Sequence, residues 1–269
     1  MFNASEKTVE VGGSTMTYLV FGRGERPLVI IPGLSLQSVH GYALPMAWTY
    51  RIYSRDYRVY VFDKKEDLRK ECTIRDLADD LFEAMKKLDI ERADVIGISQ
   101  GGMIAQYLAI DHPEAVNRLV LGVTLSRPND TIVPLVNSWI REASEGRYDV
   151  IVKDMLTRMY SDTYVRRYRL LIPLLMKMVR LNDPERFITL ARTCLSCNTY
   201  DELERIKCPV LVLGGSEDRI VSGEASLEIV QKLGCPVHMY EGLGHAAYEE
   251  AKDFDRRILA FFKSEGDML

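Results

Sequence analysis

The sequence predicts an α/β fold with a mostly parallel central sheet, helices on both faces and an all-helical insertion. Three observations carry that expectation. Short apolar runs alternate with helical patterns over residues 1–125, which is the signature of parallel strands joined by crossover helices. From Ser126 to Leu203 the alternation stops and the sequence reads as wholly helical. Strand-like runs then return at Val210–Leu213 and Val237–Tyr240. The expected division is therefore 1–125 for the first part of the core, 126–203 for an inserted helical block, and 204–269 for the second part.

In chain order, Thr8–Val11 and Met16–Phe21 flank Gly12-Gly13 and read as a hairpin. Leu28–Ile31 is continuously apolar, as a strand buried on both faces requires. Ser38–Ser54 is aromatic-rich and helical in part, with Pro45 limiting its continuity. Tyr57–Phe62 is the next strand, followed by a charged loop, Asp63-Lys64-Lys65-Glu66-Asp67. Thr73 and Asp76 have capping-box spacing and open a helix whose Ile74, Leu77, Ala78, Leu81, Phe82, Met85 and Leu88 share one face. After the strand Val95–Ile98 comes a helical run that is apolar nearly all round, so it is expected to be deeply buried. His112-Pro113 ends it, and Leu119–Val123 is the following strand. One final helix is expected to bury Ala247, Ala251, Phe254, Ile258 and Phe261.

The chain has 269 residues and a formal net charge of −4, which argues against a nucleic-acid partner. No apolar run approaches the length of a membrane span, and the first residues lack the basic-then-apolar pattern of a signal peptide. Five scattered cysteines suit free thiols in a reducing cytoplasm. Cys194 and Cys197 form a CxxC, but no second pair or nearby histidine completes a metal site, so they read as small helix residues. No metal or organic cofactor is implied.

One stretch points to chemistry. Val95–Ile98 runs into Gly97-Ile98-Ser99-Gln100-Gly101 and then into a helix, the strand–turn–helix context of a nucleophilic serine on a strained turn. Glycines at 97 and 101 leave room for that turn, and Gly102 is expected to let the helix lie close to its strand. A serine needs a base and a group that orients the base. Two late loops offer them, each after a strand end as Ser99 is: Gly214-Gly215-Ser216-Glu217-Asp218 and Glu241-Gly242-Leu243-Gly244-His245. Asp218 is the preferred acid, with Glu217 and Asp130 as fallbacks. His245 is the preferred base. His112 and His238 read as structural, and His40 as a possible pocket-lining residue.

With Gly-x-Ser-x-Gly, then aspartate, then histidine in that order after successive strands, the chain resembles the α/β-hydrolase superfamily over essentially its full length. The resemblance implies Ser99 as nucleophile, Asp218 as acid, His245 as base, and the inserted helices as the family's cap domain. It also implies an oxyanion hole made by the backbone N–H groups of Gln100 and Leu34. Pro32-Gly33-Leu34 stands where the family commonly has His-Gly-x, and Asp63–Asp67 departs from its frequent Asp-x-Arg-Gly-x-Gly. The expected activity is hydrolysis of a small or medium neutral carboxylic ester, thioester or lactone through an acyl-enzyme. Acyl transfer to another acceptor, cofactor-free perhydrolysis, and a non-catalytic ligand-binding role on the same fold stay open. Leu170, Leu171, Ile172, Leu174, Leu175, Met176 and Met178 would roof an acyl pocket or simply pack the cap onto the core. Arg158, Arg166, Arg167, Arg169 and Arg180 read mostly as a solvated face.

Overall fold

The computed structural model describes residues 3–170 and 181–264. Eight strands form one sheet: β1 (Ser5–Val11), β2 (Ser14–Phe21), β3 (Arg26–Ile31), β4 (Tyr57–Phe62), β5 (Ala93–Ile98), β6 (Val116–Gly122), β7 (Val210–Gly215) and β8 (Val237–Tyr240). Their spatial order is β1-β2-β4-β3-β5-β6-β7-β8. The pairs β1–β2 and β2–β4 are antiparallel, and every pair from β4 to β8 is parallel. The first hairpin turns on Gly12 and Gly13, both at positive φ (57° and 78°), which is what a two-residue turn matching the strand twist demands.

Ten helices are described. They are α1 (Ala43–Thr49), α2 (Ile74–Lys87), α3 (Gln100–Asp111), α4 (Ile132–Ser144), α5 (Tyr148–Met159), α6 (Asp162–Tyr168), α7 (Pro184–Cys194), α8 (Gly223–Leu233), α9 (Ala247–Glu250) and α10 (Phe254–Lys263). Helix α2 begins with the expected capping box: Asp76 N–H donates to Thr73 Oγ1 at 3.2 Å and Thr73 N–H donates to Asp76 Oδ2 at 2.8 Å. Every residue of α3 from Gln100 to Ile110 is buried, as its all-round apolar pattern requires.

Side chains alternate between the two faces of the sheet. Val29, Ile31, Val95, Leu119, Leu121 and Val212 belong to a core shared with α2, α3, α4 and α7. Leu28, Ile30, Ile96, Ile98, Val120 and Leu213 belong to a second core on the opposite face, closed by Phe254, Ile258 and Phe262 of α10. Helices on both faces explain why the central strands read as unbroken apolar runs.

Between β6 and β7 the described residues form α4 to α7 and a short 3-10 turn, Tyr200–Arg205, with no strand among them. The apolar residues Leu171 to Met178 and Arg180, singled out in the sequence, lie outside the described residues. Leu170 is exposed. Two expectations need correction. The last helix is two, because the chain straightens at Ala251 (ψ 115°) before α10; Phe262 is fully buried in the core and Phe261 packs against it half-buried. Helix α8 between β7 and β8 was not anticipated; Ser222 caps it, its side chain accepting from Glu224 N–H.

Candidate active site

In an open parallel sheet the loops after the strand C-terminal ends meet along one edge, near the point where strand order reverses. Here that point lies around β3, which sits between β4 and β5. The Pro32–Leu34 loop follows β3, Ser99 follows β5, Asp218 follows β7 and His245 follows β8.

Ser99 sits at φ 54° and ψ −120°, a conformation rare for a residue with a side chain and costing of order 1–3 kcal/mol. The surroundings hold it there. Ser99 N–H donates to Gly122 O at 2.8 Å, and its carbonyl accepts from Thr124 Oγ1 at 2.7 Å and from Gly102 N–H at 2.8 Å. The tight crossing of α3 over β3 and β5 depends on missing side chains. A Cβ on Gly101 would lie 1.9 Å from Ile31 O, and one on Gly97 would lie 2.5 Å from Gly101 O. At Gly102 the helix lies close to β5, its Cα 2.7 Å from where a Cβ on Gly97 would be, and Gly102 has a second part. A Cβ there would lie 2.6 Å from the Cβ of Thr124, so it makes room for the residue that braces the serine. Thr124 was not found from sequence; nothing about a threonine after a strand marks it as a brace.

The Ser99 hydroxyl lies 2.9 Å from His245 Nε2, and His245 Nδ1 lies 2.8 Å from Asp218 Oδ2. His245 and Asp218 are 4% and 8% exposed, so the Asp–His bond is shielded from water. The other oxygen of Asp218, Oδ1, accepts from the N–H groups of Ile220 (2.8 Å) and Val221 (3.0 Å). Those two bonds fix the carboxylate and aim Oδ2 at the histidine. The alternatives fall away: Glu217 and Asp130 are exposed. His112 stacks on Phe82 at 3.6 Å, His238 lies edge-on to Tyr240, and His40 is largely exposed and paired with Glu6, not among the residues lining the cleft beside the Pro32–Leu34 loop.

The Pro32–Leu34 loop lies against the serine: a Cβ on Gly33 would lie 3.1 Å from Ser99 Cβ and 3.6 Å from its Oγ. Gln100 opens α3, so its N–H belongs to the free first turn of that helix, where the dipole also favours negative charge. Its side chain turns away and donates to Leu190 O (2.7 Å) and Thr193 Oγ1 (3.0 Å) of α7, tying that helix to the serine turn. A cleft of about 180 Å³ adjoins this loop, lined by Gly33, Val39, Met46, Lys64, Arg186 and Leu190 among others.

Two basic residues stand in the cleft wall, and no local sequence pattern marks either. Arg186 on α7 donates to Asp63 Oδ1 (3.2 Å) and to Lys64 O (2.7 Å). Lys64 is 7% exposed, and its ammonium donates to Pro32 O (2.7 Å) and Gly33 O (3.0 Å). Burial pulls the Lys64 ammonium down to about 8, against the upward pull of the Asp63 carboxylate. Of the arginines named from sequence, Arg158 pairs with Asp154 of its own helix and Arg167 lies over Tyr168.

Cys194 and Cys197 are buried free thiols, and burial pushes both up to about 12. Among the described residues no group of three or more histidine, cysteine or acidic side chains could hold a metal ion. None of the described helices is long and apolar enough to cross a membrane.

Comparison with known proteins agrees with the architecture. The family model described as "alpha/beta hydrolase fold" matches residues 26–252. A 2-hydroxy-6-oxononadienedioate/2-hydroxy-6-oxononatrienedioate hydrolase of Paraburkholderia xenovorans (strain LB400) is 31% identical over 185 residues, 65% of this chain and 63% of that one. The 3-oxoadipate enol-lactonase 2 of Acinetobacter baylyi is 25% identical over 217 residues, 77% of each chain. The crystal structure of the enol-lactonase from Burkholderia xenovorans LB400 superposes with a TM-score of 0.84 over 96% of this chain and 100% of that one. At 20% identity that likeness speaks for the fold alone.

Proposed function

Because this chain belongs to the α/β-hydrolase family, whose model spans most of its length, we propose that it is a serine hydrolase. Its substrate would be a small or medium carboxylic ester, or the related thioester or lactone. The observation that carries the reading is the unbroken line from Ser99 Oγ through His245 to Asp218, with contacts of 2.9 and 2.8 Å. The relatives are hydrolases, which supports the reaction class.

In this reading Ser99 Oγ attacks the substrate carbonyl carbon while His245 Nε2 takes the hydroxyl proton. Asp218 holds the imidazole in the tautomer with its proton on Nδ1 and stabilises the cation that forms. The carbonyl oxygen becomes an oxyanion, bonded by the N–H groups of Leu34 and Gln100. The intermediate collapses, the bond to the leaving group breaks, and His245 returns the proton to that group. Water then attacks the acyl-Ser99 carbonyl, giving its proton to His245; the bond to Oγ breaks as His245 passes that proton to it, and the acid leaves with free Ser99 restored. Within this class a cyclic ester is favoured by the enol-lactonase that matches over 77% of both chains. The helices of residues 126–203 act as a cap over the site, a role supported by the bonds from Gln100 to α7.

The test is covalent labelling. A fluorophosphonate should add one adduct to the intact protein, on Ser99, and Ser99→Ala should take none and lose ester hydrolysis. Labelling that persists in Ser99→Ala refutes the assignment.

A further inference from the structure

We propose that Lys64 is a positioning residue for catalysis, one that holds and polarises the peptide whose N–H meets the oxyanion. The proposal rests on the reading above, in which Leu34 N–H is an oxyanion donor. The argument begins with the atoms that Lys64 touches. Its ammonium donates to Gly33 O at 3.0 Å, and that carbonyl belongs to the same planar peptide as Leu34 N–H. In a trans peptide the C=O and N–H point in opposite directions, so anchoring the carbonyl on a cation sets the direction of the donor. It also draws electron density toward oxygen and makes the N–H a stronger donor. The second contact, to Pro32 O at 2.7 Å, fixes the preceding peptide and prevents the loop from rotating about Gly33. Glycine at 33 suits its closeness to Ser99, where a Cβ would lie 3.1 Å from the serine Cβ, and it lends the loop little rigidity of its own.

Lys64 is itself held at both ends. Its backbone N–H donates to Asp63 Oδ1 at 2.7 Å, and its carbonyl accepts from Arg186 at 2.7 Å. Asp63 Oδ2 takes Val39 N–H at 3.1 Å, tying in the far end of the loop after β3. A buried ammonium is costly, and a structural lysine could have snorkelled to water. This one instead spends its charge on two carbonyls beside the nucleophile, which suits a preorganised electrostatic role.

The charge is conditional on pH. The groups facing Lys64 are Asp63 on its own loop, Arg186 and the Cys194 thiol from α7, and the Lys65–Asp80 pair toward α2. Burial pushes the Cys194 thiol up to about 12. Burial pulls the Lys64 ammonium down to about 8, so its charge would be lost as pH rises through that value.

The experiment compares wild type, Lys64→Met and Lys64→Arg. Fluorophosphonate labelling of wild type comes first: no adduct on Ser99 overturns the nucleophile reading and this inference with it. With Ser99 labelled, kcat and KM for p-nitrophenyl acetate and the Ki of a trifluoromethyl ketone are measured from pH 6 to 10. Losing one oxyanion donor costs about 10²–10³ in kcat, so misaligning one should cost about 30-fold. Lys64→Met should show that loss in kcat with KM within threefold, and an equal weakening of the ketone, whose adduct places an anionic oxygen in the hole. Wild-type kcat should fall as pH rises through about 8, and Lys64→Arg, which keeps its charge, should not show that fall. A Lys64→Met enzyme within threefold of wild type in kcat, or one whose loss lies in KM, overturns the proposal. If Lys64→Met does not fold, Lys64→Gln decides by the same readouts: a loss in kcat with KM within threefold and the ketone weakened in parallel supports the proposal, and a kcat within threefold of wild type overturns it.

Discussion

Asp218→Asn offers the sharpest test of how the site is wired. The substitution changes almost no volume, so its effect lies in hydrogen-bond direction. In the wild type Oδ1 accepts from Ile220 and Val221 N–H, and Oδ2 faces His245 Nδ1. An asparagine has one oxygen and one NH₂ to distribute. The two backbone donors claim the oxygen, because an NH₂ set against them would lose both bonds and crowd four hydrogens together. The NH₂ then faces His245 Nδ1 and selects the tautomer with its proton on Nε2. That nitrogen is 2.9 Å from Ser99 Oγ and can no longer accept the serine proton. Turning the amide over would restore the base at the cost of two buried bonds, each about 1–3 kcal/mol when its donor is left unpaired. At about 1.4 kcal/mol per factor of ten, the productive rotamer then holds at most a few per cent of the population and as little as about 10⁻⁴. The loss of the negative charge beside the imidazolium adds to this. We expect kcat/KM for a p-nitrophenyl ester at pH 7.5 to fall about 10³- to 10⁴-fold. The melting temperature should stay within a few degrees, since the backbone bonds survive. A variant that keeps more than a tenth of wild-type activity would falsify the claim that Ile220 and Val221 dictate the orientation.

Three further outcomes are expected. Gly101→Ala should abolish soluble, active protein, because its Cβ would sit 1.9 Å from Ile31 O with both partners in backbone; wild-type yield and activity would refute the tight crossing. Arg75 makes a bidentate pair with Asp111 (2.7 and 2.9 Å), and that hydrogen bond above all holds the Asp111 carboxyl below its ordinary range. A depressed carboxylate contributes stability that is present above about pH 4 and lost as pH falls through the folded value, so Arg75→Leu should cost about 1 kcal/mol at pH 7. In urea melts that difference should shrink below pH 4, and a constant difference to pH 3 would refute it. Ellman's reagent at pH 8 should leave Cys194 and Cys197 unmodified in the native protein and reach them only after unfolding, since burial holds both thiols up to about 12.

The sequence by itself determined the order of parts. Apolar runs of strand length separated by amphipathic patterns left little choice but a parallel α/β sheet, and the capping box at Thr73 and the all-apolar α3 followed from local rules. The serine turn was legible because its chemistry needs glycine at fixed offsets in a strand–helix context. Aspartate and histidine were legible through the rule that loops after parallel strands converge on one edge.

Tertiary structure alone decided what happens at that edge. It brings His245 to Ser99 across 146 positions and sets Asp218 by two backbone N–H groups. It places Arg186, which no local pattern singles out, and Lys64 of the charged loop in the wall of a cleft. Local reasoning fails for Lys64 because a lysine in a charged loop is nearly always in water. What buries it is a pair of carbonyls 31 and 32 positions earlier, and no window of sequence contains both the cation and its partners. The break between α9 and α10 is of the same kind. The apolar spacing permits one helix, and the core under α10 buries Phe262 fully and Phe261 in part.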